Sequence, residues 1–355
     1  MVLLGGTLDV TVHEKQDDGS IKEIHKVTGG PYGGMKVNHQ FEGLLDELFG
    51  ADKLYDYRQL FPFDWLRLAG DFEDKKRGPR ALQNKETRIR LPQSFNSSVP
   101  EILPHAMERY GEEVKIFKNE YLCLSARVMR KQFEPVLEAM KEHLAVLLSK
   151  PQLSRVKVML LVGGFAESSL LQQEIKNEFA DRCRVIVPRD AAKAVVQGAV
   201  MFGKMPTKIT ERVVATTYGC ACSRDFIEGV HPNEKKFVAD SIEKCRDLFS
   251  CFVKENEVVK VGQRVRQVFH PVYENDTEIK FGFYTSSLTT NPQFVTDPGL
   301  TKIGSLTLQS PDTQRGRDRE IEASLYFGGT EITVTPLDVT SGNVQQTTLD
   351  FFCNL

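Results

Sequence analysis

Four short segments carry residue types able to hold a charged, phosphorylated ligand. The turn Gly5-Gly6-Thr7, just ahead of Asp9, offers successive backbone N–H groups that no Cβ screens, and such groups form nests for anions. Gly33 and Gly34 close the glycine-dense run GGPYGG. Glu73, Lys76 and Arg77 stand at i, i+3 and i+4, so they share one face wherever the segment is helical. Gly163-Gly164-Phe165 lies between an apolar run and the start of a helix, where the helix N-terminus attracts negative charge. Taken singly, each also has a plain structural reading: a hairpin turn, a loop, a solvated charged face, a tight strand-to-helix turn. Together they suit a nucleotide.

The elements that must position them alternate between strand and helix through residues 1–203, the pattern of an α/β layer fold. LDVTVH, residues 8–13, follows the first turn and predicts a hairpin, with only Met1 to Leu4 ahead of it. Phe41, Leu44, Leu45, Leu48 and Phe49 recur at helical spacing and Gly50 stops that helix. Residues 50–90 are mixed and highly charged. Ser125 is placed to cap a long helix whose stripe runs Met129, Phe133, Val136, Leu137, Met140, Leu144 and Leu147. Pro135 should kink or break it and Pro151 ends it. The apolar run Val156 to Val162 predicts a strand covered on both faces, after which Glu167 or Ser168 starts a helix. A short strand at 184–188 leads to the small-residue helix DAAKAVVQGAVMFG, suited to close packing.

Past Gly203 the character changes to β runs broken by GGT, SG, NP and PD turns at roughly 8–12-residue intervals, which predicts a sandwich or barrel. Only 241–251 hints at a helix. The boundary falls at about 204–212, dividing the chain into 1–204 and 205–355.

Lys plus Arg number 46 against 48 Asp plus Glu, a net charge of −2, which argues against nucleic acid as the partner. The chain is 355 residues long, 41% apolar and 26% charged, ordinary for a soluble chain of roughly two or three domains. No apolar run is long enough for a membrane span, and MVLLGG is no secretory signal. Seven cysteines at irregular spacing argue against a disulfide framework, and Cys220-Ala221-Cys222 reads as an ordinary reduced pair, not a metal site. The sequons at Asn96 and Asn275 then read as bare surface loops. The expected compartment is the cytoplasm.

The order GGTLDVTVH, GGPYGG, FEDKKR, SARVMRKQFEPVLEAM, LLVGGFAESSLLQQEI and PRDAAKAVVQGAVMFG resembles the second half of the nucleotide-binding domain of the 70-kDa heat-shock proteins, an actin-like, ribonuclease-H-like ATPase fold. SRDFIEGVHPNEKKFV, QFVTDPG and FGGTEITVTPLDVTSGNVQQTTLDF look like the 12A/12B-type branch, and the last also resembles the end of the β substrate-binding domain of conventional members. The fold class implied is an α/β actin-like half-domain followed by an all-β, sandwich-like substrate-binding domain. The resemblance implies ATP or ADP as ligand, with Mg2+ only alongside nucleotide. Its site residues are Gly5, Gly6, Thr7 and Asp9 in the second phosphate loop, Gly33 and Gly34, then Glu73, Lys76 and Arg77 on the adenine-covering helix, and Gly163, Gly164 and Phe165 in the adenosine motif.

There are departures. The family's phosphate loop reads Asp-x-Gly-Gly-Gly-Thr, whereas Val2 takes the Asp position and Leu4 the first Gly position. Phe165 and Glu167 replace polar residues after the adenosine glycines. Nothing resembles the first lobe, with its other phosphate loop and catalytic lysine. Phosphoryl transfer needs cations and a water positioned around the γ-phosphate, so the expectation is weak nucleotide affinity, little or no ATPase activity, and no catalytic or metal-binding residue in this chain. The β domain is implied to clamp proteins or extended apolar peptides through loops flanking 218–226 and 249–258, with Tyr218, Phe226, Phe249 and Phe252 either at the clamp or in the core. With the chain stopping at Leu355 no helical lid is expected, and an open sheet edge predicts poor solubility as a monomer. The alternatives are a non-enzymatic interaction module, or a fragment of a longer gene product.

Overall fold

The computed structural model describes residues 1–350 except 4, 100, 289–291 and 328–330. Leu4, the GGT turn at 328–330, part of the NP turn and the end of the last β run therefore lie outside the described residues. The fold is mixed α/β, in two compact units: Met1–Thr11 with Thr28–Lys204, and Val12–Val27 with Met205–Leu355. The tip of the first long hairpin thus groups with the second unit, although it falls early in sequence.

In the first unit β1 (Val2–Leu3) pairs antiparallel with β2 (Leu8–Lys15), Leu3 opposite Leu8, across the Gly5-Gly6-Thr7 turn. β3 (Ile21–Gly30) leads into α1 (Gly34–Phe49), which buries Val37 and the stripe its spacing predicts. α2 (Ala51–Leu60) and α3 (Pro62–Arg77) occupy the stretch that looked merely charged. They bury little, Leu54 and Tyr57 from one and Leu68, Phe72 and Lys76 from the other, so no apolar stripe announces them. Phe72 stacks on Phe41 with centroids 3.9 Å apart, which fastens α3 to α1.

β4 (Thr87–Arg90), α4 (Gln93–Ser98), α5 (Pro104–Tyr110), β5 (Val114–Phe117) and β6 (Tyr121–Leu124) follow, the strands forming an antiparallel sheet in the order β4-β6-β5. Asn96 sits in α4, its amide donating to the Asn119 carbonyl, so that sequon is helical and engaged, not a bare loop. The long helical stretch is broken just ahead of Pro135, the second of the two outcomes expected there, into α6 (Ala126–Lys131) and α7 (Glu134–Leu148). Ser125 caps α6, its hydroxyl accepting from the Val128 amide at 3.2 Å. Pro135 lies in the first turn of α7, where its missing N–H would have no helical partner, so it starts a helix and kinks none.

β7 (Val158–Leu160), α8 (Ser169–Glu178), β8 (Arg184–Ile186) and α9 (Ala194–Lys204) complete the unit. β7 and β8 pair in parallel, and Leu3 donates to the Val162 carbonyl at 2.7 Å. Two expectations fail here. β7 is covered on one face only, Met159 pointing in while Val158 and Leu160 are 48% and 50% exposed. α9 buries none of its residues, leaving Val196 and Val200 in the open instead of packed. The apolar pattern of both matches a cover that nothing described supplies.

The second unit is almost wholly β. β9 (Ile209–Val213) runs parallel to Ile21–Lys22 of β3. β10 (Thr217–Asp225), β11 (Lys236–Ala239), β12 (Ile242–Val253), β13 (Val258–Lys260), β14 (Gln263–Phe269), β15 (Glu278–Ser286), β16 (Leu300–Gln309), β17 (Ile321–Phe327), β18 (Glu331–Asp338) and β19 (Thr347–Asp350) follow. β13 pairs with β9. The others form antiparallel sheets ordered β11-β12-β10-β15-β16 and β14-β17-β18-β19. Both sheets feed one core, Tyr218, Cys220 and Phe283 from the first meeting Leu325 and Val334 from the second. The helix hinted at over 241–251 is strand β12. Asp247 has φ +61° and the β10–β12 register slips nearby, so the buried Cys245 and Leu248 stand three apart and imitate helical spacing.

Candidate functional site

Gly33 is the wedge that joins the first two glycine turns. Its amide donates to the Gly6 carbonyl at 3.2 Å, and the Met35 amide donates to the Gly5 carbonyl at 2.6 Å. No side chain caps α1, so the turn's carbonyl takes one of the free amides at that helix end. A Cβ on Gly33 would collide with the Gly6 carbonyl carbon and sit 2.6 Å from the Thr7 nitrogen, so only glycine fits. Across the turn, the Thr7 hydroxyl donates to Asp9 Oδ2 at 3.0 Å.

Gly34 brings in the other two segments. A Cβ there would lie 3.2 Å from both Lys76 Nζ and the Phe165 ring. Lys76, only 4% exposed, donates to the Gly34 carbonyl at 3.0 Å, Asn38 Oδ1 at 2.7 Å and Glu73 Oε2 at 2.5 Å. Its ammonium stands 5.7 Å from the centroid of Phe165, which is buried against Phe133. The Ser168 hydroxyl donates to the Lys76 carbonyl at 3.2 Å while capping α8. Gly163 has φ +96°, and a Cβ there would strike the Leu3 carbonyl. All four segments singled out by sequence thus meet within the first unit.

They divide into two roles. Gly33, Gly34, Lys76, Gly163 and Phe165 are packed and hold the segments together. Gly6 and Gly164 face open space, with nothing within 4 Å of a Cβ built on either. Arg77 pairs with Glu73 at 3.0 Å and Glu167 at 3.6 Å, yet its buried Nε has no hydrogen-bond partner. Burial alone would raise the Glu73 carboxyl, but donors from Lys76, Asn38 and Arg77 hold it below the ordinary glutamate range. Burial pushes the Lys76 ammonium down, against the pull of Glu73. Asn38, whose Nδ2 donates to Glu73 at 2.9 Å, was missed by sequence; its only signal is its place one turn after Gly34 in the same helix.

The second unit holds a groove of about 1110 Å3 between the end of β10 (Cys222 to Asp225) and the connection 270–277 after β14. None of the four aromatics proposed for a clamp lines it. Tyr218 and Phe252 belong to the core, Phe226 packs on the Cys245–Leu248–Phe294 cluster, and Phe249 covers Gly219. Strands turn alternate residues to the core, and Tyr218 in β10 and Phe252 in β12 take such positions, whereas Phe249 is on the other face of β12 and Phe226 follows the end of β10. Cys220 is also core, its thiol pushed up by burial. Among the described residues no helix is long and apolar enough to cross a membrane.

No family model matches the sequence. Heat shock 70 kDa protein 12A of Mus musculus is 36% identical over 356 residues, 98% of this chain and 53% of that protein. The Homo sapiens protein of that name is 35% identical over 356 residues, with the same coverage. Heat shock 70 kDa protein 12B of Homo sapiens is 34% identical over 365 residues, 99% of this chain and 53% of that protein. The chain spans about half the length of the curated relatives it matches.

Proposed function

We propose that this chain, which belongs to the 12A/12B-like branch of the 70-kDa heat-shock proteins, binds ATP or ADP at the junction of its four glycine-rich and charged segments. The observation that carries the reading is their convergence, with Gly33 wedged under Gly5–Thr7 and Gly34 against Lys76 and Phe165. The open backbones of Gly6 and Gly164 suit a ligand rich in acceptor oxygens. In this reading Gly5–Thr7 meets the phosphates, and Gly164 with Glu73 and Arg77 meets the nucleoside. Asp9, which accepts from the Thr7 hydroxyl, would orient a water bound to any Mg2+ that enters with the nucleotide.

The reading is binding, not hydrolysis. Lys76 is committed to Gly34, Asn38 and Glu73, so it has no donor to spend on a γ-phosphate. Calorimetry with millimolar ADP and ATP tests the proposal. Heat that disappears in Gly164→Val supports it; no heat and no thermal shift in the unaltered chain rejects it.

A second reading rests on the groove of the β unit. Its size and its strand-end lining suit an extended polypeptide held by main-chain bonds, as in a chaperone-type clamp within a β-sandwich domain. Its charged rim, Arg224 and Lys280 beside Asp225 and Glu278, favours segments of mixed polarity over purely apolar ones. Removing 212–355 should abolish capture of unfolded polypeptide; unchanged capture rejects it.

A further inference from the structure

Arg319 is wholly buried, and among the described residues no carboxylate is paired with its guanidinium. An unpaired buried charge is costly unless hydrogen bonds replace its hydration. Here Nε donates to the Gly316 carbonyl at 2.8 Å. One terminal nitrogen donates to the Asp276 carbonyl at 2.7 Å and to the carbonyl and hydroxyl of Ser310 at 3.0 and 2.9 Å. The other donates to the Glu274 carbonyl at 2.9 Å. The Ser310 hydroxyl in turn donates to the buried Asp338 at 2.7 Å, so the positive charge is balanced through one intervening group.

These bonds are concentrated on one feature. Asp276 lines the groove, and Glu274 lies in the same connection between β14 and β15. The Arg319 carbonyl accepts from His270 Nδ1 at 3.0 Å, and the Ser310 amide donates to the Thr277 carbonyl at 2.8 Å. The connection 270–277 is therefore tied at both ends and in the middle to Arg319 and Ser310. A buried ionic group is weak support for stability by itself, since well-packed apolar residues often do as well. What a guanidinium adds is a rigid fork that reaches several carbonyls at fixed angles, which a lysine ammonium cannot reproduce.

We propose that Arg319 is the positioning residue of the groove: it fixes the 270–277 wall against which an extended polypeptide binds, without touching that polypeptide. The inference rests on the second reading above, and on the full chain two measurements separate their failures. Hydrogen–deuterium exchange follows the amides of 270–277, and fluorescence anisotropy follows binding of labelled, reduced and carboxymethylated α-lactalbumin, an unfolded polypeptide. In Arg319→Lys and Arg319→Met the wall amides should exchange about tenfold faster while β12 and β17 stay protected. The probe should bind about tenfold more weakly, chiefly through faster dissociation. Ser310→Ala, which removes one of the Arg319 acceptors together with the hydroxyl's bond to Asp338 and leaves the other Arg319 bonds in place, should give a smaller change in both, and it decides the matter if the Arg319 variants do not fold. A chain that binds the probe equally well with and without these substitutions, or whose wall exchanges unchanged, overturns the assignment to Arg319. An unaltered chain that does not bind the probe overturns the groove reading and this inference with it.

Discussion

Lys76 fixes how α3 meets two glycine turns, and it does so at a cost. Its ammonium is out of water and its three donors go to Gly34, Asn38 and Glu73. Lys76→Met takes from Asn38 Oδ1 its Lys76 donor and from the Gly34 carbonyl the bond it accepts besides its helical one, and should lower stability by about 2 kcal/mol, read from a shifted denaturant midpoint at unchanged slope. Glu73 sets a pH dependence of definite sign. Its carboxyl is held below the ordinary value of 4.5, so its stabilisation is fully present above that value and disappears as pH falls through the lower folded value. Urea midpoints measured from neutral pH into that acid range should fall less steeply in Glu73→Gln than in the unaltered chain; parallel curves would contradict this. The glycines split by environment. Gly33→Ala forces a Cβ into the Gly6 backbone and should destabilise by about 1–3 kcal/mol. A Cβ at Gly6 or Gly164 has nothing within 4 Å, so Gly6→Val and Gly164→Val should melt nearly as the unaltered chain does while losing nucleotide.

At the scale of elements, proline and exposure make the predictions. Pro135→Ala should change stability by less than about 1 kcal/mol, because the residue occupies a first turn with no N–H bond to lose. Val196→Lys and Val200→Lys on α9 should fall within about 0.5 kcal/mol in this chain, since neither side chain is buried. These cases also mark what could be read from sequence. The β1–β2 hairpin, α1 and the Ser125 cap were legible because local rules decide them: a glycine turn, a helical stripe, an N-cap hydroxyl. α2 and α3 were not, because helices that bury two or three residues leave no stripe. β12 was misread because one residue at positive φ broke its period of two. For the site, the glycine and charge motifs pointed to the segments that converge. Asn38 and the commitment of Lys76 to structure are tertiary facts, set by which helix lands beside which turn.

At the scale of the whole molecule, two compact units with separate cores should respond separately to ligands. The nucleotide reading puts every contacting residue in the unit made of Met1–Thr11 and Thr28–Lys204. A ligand that binds only the folded form stabilises by RT ln(1 + [L]/Kd), about 2.7 kcal/mol at a hundredfold excess over Kd. That gain belongs to the unit that binds. With ADP present, hydrogen exchange across α1, α3 and α8 should slow by up to about a hundredfold, the factor the same excess implies, while β10, β12 and β17 exchange as before. Gly164→Val should cancel the slowing and leave the ligand-free pattern intact. Equal slowing in both units, or slowing that survives Gly164→Val, would place the nucleotide somewhere other than the convergence of Gly6, Arg77 and Gly164.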